Sequence, residues 1–147
     1  MIFLIRNFAI LLCAVLLLIG YNYIASPPMP SVKAEGRMVA PTPGSYCWES
    51  ALKAECVDMA YASPWEQGLK KAPATVKAGV DIFVDFNKQP LPGSLRAELW
   101  SSETDSKPAL LQNGIFTAPK VPGIYIYHIF ADWEQGSGNY AFSIEVK

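Results

Sequence analysis

The chain has 147 residues, enough for one domain with accessory segments. Its charge is nearly balanced, with 12 Lys and Arg against 13 Asp and Glu, and the basic residues form no cluster. Binding to a phosphate backbone through counterion release is therefore excluded, and no nucleic-acid partner is expected. The 12 prolines interrupt the chain too often for a helical bundle and favour short strands joined by turns.

Residues 1–25 form the long apolar run of the sequence and carry one charge, Arg6. Such a run is typical of a signal-peptide core and approaches the roughly 20 residues that span a bilayer. Cleavage is disfavoured because Tyr23 and Ile24 stand where a small residue is needed, and Cys13 lies too early for a lipoprotein site. We predict an uncleaved signal-anchor helix over 1–25, with a cleaved signal peptide as the alternative. The rest of the chain would lie outside the cytoplasm, held at the cell membrane by a single span, or secreted if cleaved.

Residues 26–44 contain five prolines and little apolar surface to bury. This composition predicts an extended, semi-rigid linker that lifts the following domain off the membrane. The folded domain is then expected over 45–147, about 100 residues, which is enough for one sandwich core.

Cys47 and Cys56 form a close pair in the polar part of the chain. In an oxidising compartment they are expected to form a disulfide that closes a short loop, with two unpaired thiols as the alternative. Two cysteines and the single histidine, His128, cannot supply the four ligands of a zinc site. We predict no metal and no cofactor.

The stretch Phe116 to Val146 carries two apolar, aromatic-rich runs around a Glu-Gln-Gly-Ser-Gly-Asn turn region, which predicts a β-hairpin. Upstream, Val80 to Phe86 and Leu95 to Trp100 alternate apolar and polar residues, as expected of strands with one buried face. Asn113-Gly114 predicts another hairpin turn. The sequence therefore predicts an all-β fold, an antiparallel sandwich of about seven short strands.

One tetrapeptide, Trp-Glu-Gln-Gly, occurs twice, at 65–68 and at 133–136. A true repeat would extend the likeness into the flanking residues, and here the flanks share nothing. We therefore interpret the match as a coincidence.

A proline precedes Gly123 to Tyr127, GIYIY, which open a late strand. An aromatic closing strand comes after it. This arrangement resembles the last two strands of bacterial immunoglobulin-like domains, and the resemblance implies a corner-tyrosine role for Tyr125. A second resemblance is to small uncharacterised exported proteins of Gram-positive bacteria. It implies an immunoglobulin-like β-sandwich over about 100 residues and no particular function. It rests on short motifs at Ser45-Tyr46-Cys47-Trp48, Cys56, Val76 to Phe86 and Tyr140-Ala141-Phe142.

Val76 to Gly79, Phe116 to Pro119 and Pro122 to Tyr125 resemble the frame of a cupredoxin. A blue-copper site needs two histidines and one cysteine around the metal, with a weak axial methionine. Because the chain has one histidine, such a copper site is excluded by count. A metal-free sandwich of that topology stays open.

The candidate catalytic residues do not form a pattern that is typical of an active site. A Ser-His-Asp triad would have to use His128, which shares its strand face with Ile126 and Phe130 and is expected to be a packed histidine. Asp81 and Asp85 lie on one strand face about 13 Å apart, too far for the acid/base pair of a glycosidase. We therefore predict no enzyme, with an unrecognised hydrolase as the remote alternative.

Binding is the function that remains. The apolar face of Ile124 to Phe130 is either covered by Ser45–Ser63 or is a contact surface for another protein. We predict a non-enzymatic, membrane-tethered, extracytoplasmic interaction or envelope-sensing module whose partner is an unknown protein or cell-envelope component. A secreted carbohydrate or cell-wall-binding domain is the alternative, in which exposed aromatic rings stack on sugars. The candidate binding surface consists of Phe83, Trp100, Ile126, His128 and Phe130.

Overall fold

A computed structural model describes residues 7, 10–13, 26–50 and 53–147, and the fold is given for these. Between residues 26 and 147 they form eleven strands and one short helix. The elements are β1 (Ser31–Ala34), β2 (Arg37–Val39), β3 (Thr42–Glu49), β4 (Ala54–Val57), α1 (Pro64–Gly68), β5 (Ala74–Val76), β6 (Asp81–Asp85), β7 (Arg96–Ser102), β8 (Asp105–Pro108), β9 (Ile115–Thr117), β10 (Gly123–Trp133) and β11 (Gly136–Val146).

The strands form two sheets. The smaller sheet has the order β2-β1-β6-β9, and the larger has the order β4-β3-β11-β10-β7-β8. Strand β5 joins the larger sheet by pairing in parallel with the end of β11, and the other pairs are antiparallel. The predicted all-β fold class is confirmed, with eleven strands in the described residues instead of about seven.

One hydrophobic core lies between the sheets. The smaller sheet contributes Val32, Ile82 and Phe116, and the larger contributes alternate residues of β10 and β11. The ring of Tyr127 lies 4.8 Å from that of Phe116 and 5.1 Å from that of Phe142, so aromatic contacts join the two sheets directly. Full burial of such a side chain stabilises a fold by roughly 1.5–3 kcal/mol, so these rings are a main source of cohesion.

The hairpin of β10 and β11 is the longest pairing in the larger sheet. Its register runs from Gly123 opposite Val146 to Trp133 opposite Gly136, leaving a two-residue turn. The predicted hairpin is confirmed, although its turn is tighter than the expected Gly-rich region, whose last residues belong to β11. Consecutive residues of β10 are buried because the core covers one face and α1 the other.

The prediction of a linker over 26–44 is wrong for most of that range. Strands β1 and β2 and the start of β3 lie in this range, and β1 pairs with β6 at the centre of the smaller sheet. Val32 and Ala34 are buried in the core because they alternate with Ser31 and Lys33 along the strand. All five prolines that suggested a spacer lie outside these two strands. The folded domain therefore begins well before residue 45.

The signal-anchor helix predicted over 1–25 lies almost wholly outside the described residues. Of that range, the described residues 7 and 10–13 are helical. Within the described parts of the chain, no helix has the length and apolar character needed to cross a bilayer. The anchor stays a prediction.

Candidate functional site

The outer face of the larger sheet brings together four of the five residues of the candidate binding surface. Trp100 of β7 lies directly opposite Ile126 of β10. His128 and Phe130 follow at two-residue intervals on the same strand, so their side chains share that face. Their grouping confirms the strand alternation read from the sequence.

Helix α1 covers the centre of this face. Ser63 caps the helix by accepting a hydrogen bond from the backbone N–H of Glu66 at 3.2 Å, and Pro64 takes the first helical position. Gly68 lies against the sheet, because an added Cβ there would be 2.5 Å from Cγ2 of Ile126. Ile126 is 0% exposed and offers no free surface. The centre of the apolar face is therefore covered by the helix that follows Ser45–Ser63.

A buried polar network joins α1 to the sheet. The side-chain amide of Gln67 donates to the carbonyl oxygen of Thr42 at 3.1 Å and to Oδ1 of Asn139 at 3.3 Å. The amide of Asn139 donates in turn to the carbonyl oxygen of Ser45 at 2.9 Å. Oδ1 of Asn139 also lies 3.2 Å from Nε2 of His128. Four elements, α1, β3, β10 and β11, are thus held together through two side-chain amides.

This network defines the state of His128. Because Oδ1 of Asn139 is an acceptor, Nε2 of His128 carries the proton, and Nδ1 keeps a lone pair. Nδ1 is buried, has no hydrogen-bond partner among the described atoms, and lies 3.9 Å from Oε2 of Glu98. Burial lowers the pKa of His128, and the contacts with Asn139 and Glu98 oppose this shift only in part. His128 is therefore a neutral, packed side chain.

The rim of the same face is half-buried. The indole N–H of Trp100 donates to Oε2 of Glu98 at 3.1 Å. The guanidinium of Arg96 lies 5.3 Å from the centre of the Phe130 ring and 3.4 Å from Oδ2 of Asp132. The aromatic rings are partly accessible, whereas these polar neighbours already have internal partners.

Phe83 lies on the opposite side of the molecule, on the outer face of the smaller sheet. Lys33 of β1 and Ile115 of β9 lie directly opposite it on the neighbouring strands, and Met38 of β2 lies opposite Lys33. These four aligned residues, one from each strand, are called the apolar row here. Phe83 is 49% exposed and Met38 is 63% exposed. With strands about 4.8 Å apart, the row spans about 14 Å.

Two carboxylates lie on either side of the apolar row. Asp81 and Asp85 share the face of Phe83 and stand two residues before and after it on β6. Oδ1 of Asp85 accepts a hydrogen bond from the side-chain amide of Gln89 at 2.8 Å. Asp81 lies opposite Thr117 of β9. The outer face of the smaller sheet is thus an apolar strip between two acidic positions.

The disulfide between Cys47 and Cys56 is confirmed. The two residues are direct partners on β3 and β4, with their Cα atoms 4.0 Å apart. Both are exposed at the edge of the larger sheet. The bond ties the short edge strand β4 to its neighbour.

Sequence reasoning found Phe83 but missed the other three residues of the apolar row. The alternation in Ser31–Ala34 and in Ile115–Thr117 was a usable signal for two of them. Their alignment with Phe83 depends on strand order and register, which no local pattern specifies. The contact between α1 and β10 was also missed, because it joins segments about 60 residues apart.

Among the described residues, no cluster of three or more His, Cys, Asp or Glu side chains could hold a metal ion. The arrangement on both outer faces therefore consists of aromatic, aliphatic and charged side chains on rigid strands. Comparison of the chain with protein-family models, curated proteins and solved structures finds no match.

Proposed function

We propose that the chain is a non-enzymatic interaction or envelope-sensing module, held at the cell membrane by its N-terminal segment with the β domain outside the cytoplasm. The observation that carries this proposal is the apolar row. Phe83 and Met38 are exposed in one row, with Lys33 between them and half-buried Ile115 beyond Phe83, on a sheet whose other face packs against the core. Exposed apolar side chains that lie close together on a well-packed domain are typical of contact sites.

An immunoglobulin-like sandwich is the finer fold that we propose. The hydroxyl of Tyr125, near the start of β10, donates to the carbonyl oxygen of Val121 at 3.0 Å. A tyrosine that reaches back to the backbone a few residues upstream is the corner feature of immunoglobulin domains. Two packed sheets with a late, central hairpin are consistent with that assignment.

The disulfide and the N-terminal composition support a location outside the cytoplasm. Cys47 and Cys56 are exposed, and an exposed disulfide persists in oxidising compartments. The apolar run of 1–25 provides a segment long enough for a membrane anchor or for export. If that run is cleaved, the same domain is secreted.

We propose that the chain is not an enzyme because of the protonation state and the spacing of its candidate catalytic groups. His128 is held neutral beneath α1 and is bonded to an amide, so it lacks the exposed position of a general base. Asp81 and Asp85 stand about 13 Å apart, beyond the separation of paired catalytic carboxylates.

The test is photocrosslinking from position 83 in cells of the native host. A benzophenone amino acid in place of Phe83 is expected to give discrete crosslinked species in the membrane fraction. The matched control replaces Leu69, which is 40% exposed at the end of α1 on the outer face of the larger sheet, and is expected to give none. Absence of crosslinks at position 83, or equal crosslinking at both positions, would contradict an interaction through the apolar row.

Carbohydrate or cell-wall binding is the second candidate, favoured by the partly accessible rings of Trp100 and Phe130 beside Arg96 and Glu98. Rings of this kind stack on sugars while nearby polar groups bind hydroxyls. It predicts that the protein sediments with purified cell walls and that Trp100→Ala reduces this binding at least fivefold without unfolding. Unchanged sedimentation of the variant would contradict it.

A further inference from the structure

We propose that the outer face of the smaller sheet binds a basic amphipathic helix of a partner protein, laid across the strands along the apolar row. The inference rests on the proposed function and names the class of partner. It is carried by the alignment of Met38, Phe83 and Ile115 and by the two flanking carboxylates.

The length of the apolar row fits the apolar stripe of a helix. The row crosses four strands and spans about 14 Å. Met38 and Phe83 are two strands apart, about 10 Å, and Ile115 lies one strand, about 5 Å, further on. A helix rises about 1.5 Å per residue, so apolar residues at positions i, i+7 and i+10 stand at about the same intervals on one helix face and can contact Met38, Phe83 and Ile115 in turn. The stem of Lys33 completes the row between Met38 and Phe83.

The two carboxylates define the width and the charge of the partner. Asp81 and Asp85 stand about 13 Å apart along β6, one on each side of Phe83. A helix is about 10 Å wide, so one laid along the apolar row fits between them. Each flank of the helix then faces a carboxylate, and Lys or Arg on both flanks would pair with them.

The same charges disfavour a lipid surface. Two carboxylates against the single ammonium of Lys33 leave the face acidic, and it would be repelled by anionic headgroups. A sugar stacked on Phe83 could bond to the flanking carboxylates or to Lys33, but it would leave the apolar side chains of Met38 and Ile115 without an apolar partner. A basic polypeptide helix satisfies both the apolar and the acidic parts of the face.

The test uses the full chain in zwitterionic nanodiscs, with empty nanodiscs as the blank. The probe is a fluorescently labelled, amidated 18-residue helical peptide with Leu at three- and four-residue spacing and Lys on both flanks. The matched control peptide carries Glu in place of each Lys. Fluorescence anisotropy is expected to show at least tenfold tighter binding of the Lys peptide.

Three variants locate the binding. Phe83→Ser is expected to weaken binding of the Lys peptide at least tenfold, and the double variant Asp81→Lys with Asp85→Lys should reverse the preference toward the Glu peptide. Leu69→Ser, at the end of α1 on the opposite side of the molecule, should change neither affinity. All replaced side chains are exposed, so circular dichroism and thermal unfolding are expected to show intact folds.

Equal affinity for the two peptides, or binding that Phe83→Ser does not weaken, would overturn the inference. So would Phe83-dependent binding to anionic vesicles, to oligosaccharides or to a second copy of the chain in sedimentation experiments. Crosslinks from position 83 distinguish failure of the basic-helix proposal from failure of the proposed interaction function. If they form on a partner segment that is not a basic helix, this inference fails and the interaction function stands; if none form, both fail.

Discussion

The Nδ1 atom of His128 lies 3.9 Å from Oε2 of Glu98, a distance too long for a hydrogen bond. On its other side the ring is bonded to Asn139, which in turn binds Gln67 of α1. The neutral histidine therefore lies at the contact between the helix and the larger sheet. Proton uptake would place a charge where burial disfavours it, so the stability of this contact depends on pH.

We expect the free energy of unfolding to fall as the pH decreases below about 6.5. Burial lowers the pKa of His128 in the folded state, so over this window the unfolded chain binds a proton that the folded chain does not. The slope reaches at most about 1.4 kcal/mol per pH unit and disappears below the folded-state pKa. Denaturant unfolding at pH 7.5, 6.5 and 5.5 measures it.

The matched variant is His128→Gln, which keeps a hydrogen-bonding side chain without a proton that titrates in this range. Its free energy of unfolding should change less between pH 7.5 and 5.5 than that of the parent protein. The pKa values of Glu66, bonded to Lys70, and of Glu145, bonded to Lys147, are lowered, so these two carboxylates titrate below the pH range of the measurement. An identical slope in both proteins would show that His128 is not the group responsible.

Local pattern predicted the parts of the fold in which burial on each face follows from the residues of one strand. Both faces of β10 are apolar, which correctly predicted that both are covered. The alternation of Leu95 to Trp100 correctly predicted which side chains of β7 point toward the core. The identity of the covering element could not be read. Ser63-Pro64 caps the Trp-Glu-Gln-Gly of 65–68 into a helix, whereas at 133–136 the same tetrapeptide forms the turn of a hairpin. Tertiary context decides between them.

The same limit explains the error over 26–44 and the incomplete candidate site. The prolines around β1 led to the prediction of a linker, although the alternation of four residues in β1 places Val32 in the core. Phe83 was identified as outward-facing, but its neighbours across the sheet come from three other segments of the chain. Register between distant strands is a property of the whole core, and a single sequence does not specify it.

Removing the disulfide should destabilise the domain without abolishing its fold. Cys47→Ser with Cys56→Ser opens a loop with a sequence separation of 9, and the loop-entropy relation gives a loss of about 2.5 kcal/mol. Urea unfolding of parent and variant measures this difference, with Cys13→Ser as the control that leaves the bond intact. A loss below about 0.5 kcal/mol would mean that β4 is held mainly by its strand pairing.

Alkylation of the protein as isolated from its host tests the compartment. Cys47 and Cys56 should be protected from a thiol reagent until a reductant is added, and mass spectrometry should show the corresponding mass difference. The same spectrum reports whether residues 1–25 remain attached. Free thiols at both positions would contradict the proposed location outside the cytoplasm.

Gly136 should be among the residues least tolerant of substitution. Its φ is +146°, and an added Cβ would lie 2.0 Å from the carbonyl oxygen of Cys47 on the neighbouring strand β3. Gly136→Ala must therefore separate β3 from β11, and we expect a loss of about 3 kcal/mol or more in urea unfolding. Gly93→Ala is the matched control, because φ there is +77° and a Cβ meets no described atom within 4 Å. It should lose only about 1 kcal/mol from backbone strain.

The two tyrosines of β10 that bond to backbone carbonyls should differ in their contributions. Tyr125→Phe removes a hydrogen bond to Val121 in an exposed position, where water replaces the lost donor, and should cost about 0.5–1 kcal/mol. Tyr127→Phe removes the bond to Thr117 from a side chain that is 1% exposed, leaving a carbonyl without its donor, and should cost about 1–3 kcal/mol. Urea unfolding of both variants measures the order. A larger loss for Tyr125→Phe would contradict this order. It would mean that water does not replace the hydrogen bond between Tyr125 and Val121, and that this bond stabilises the fold more than the bond of Tyr127 does.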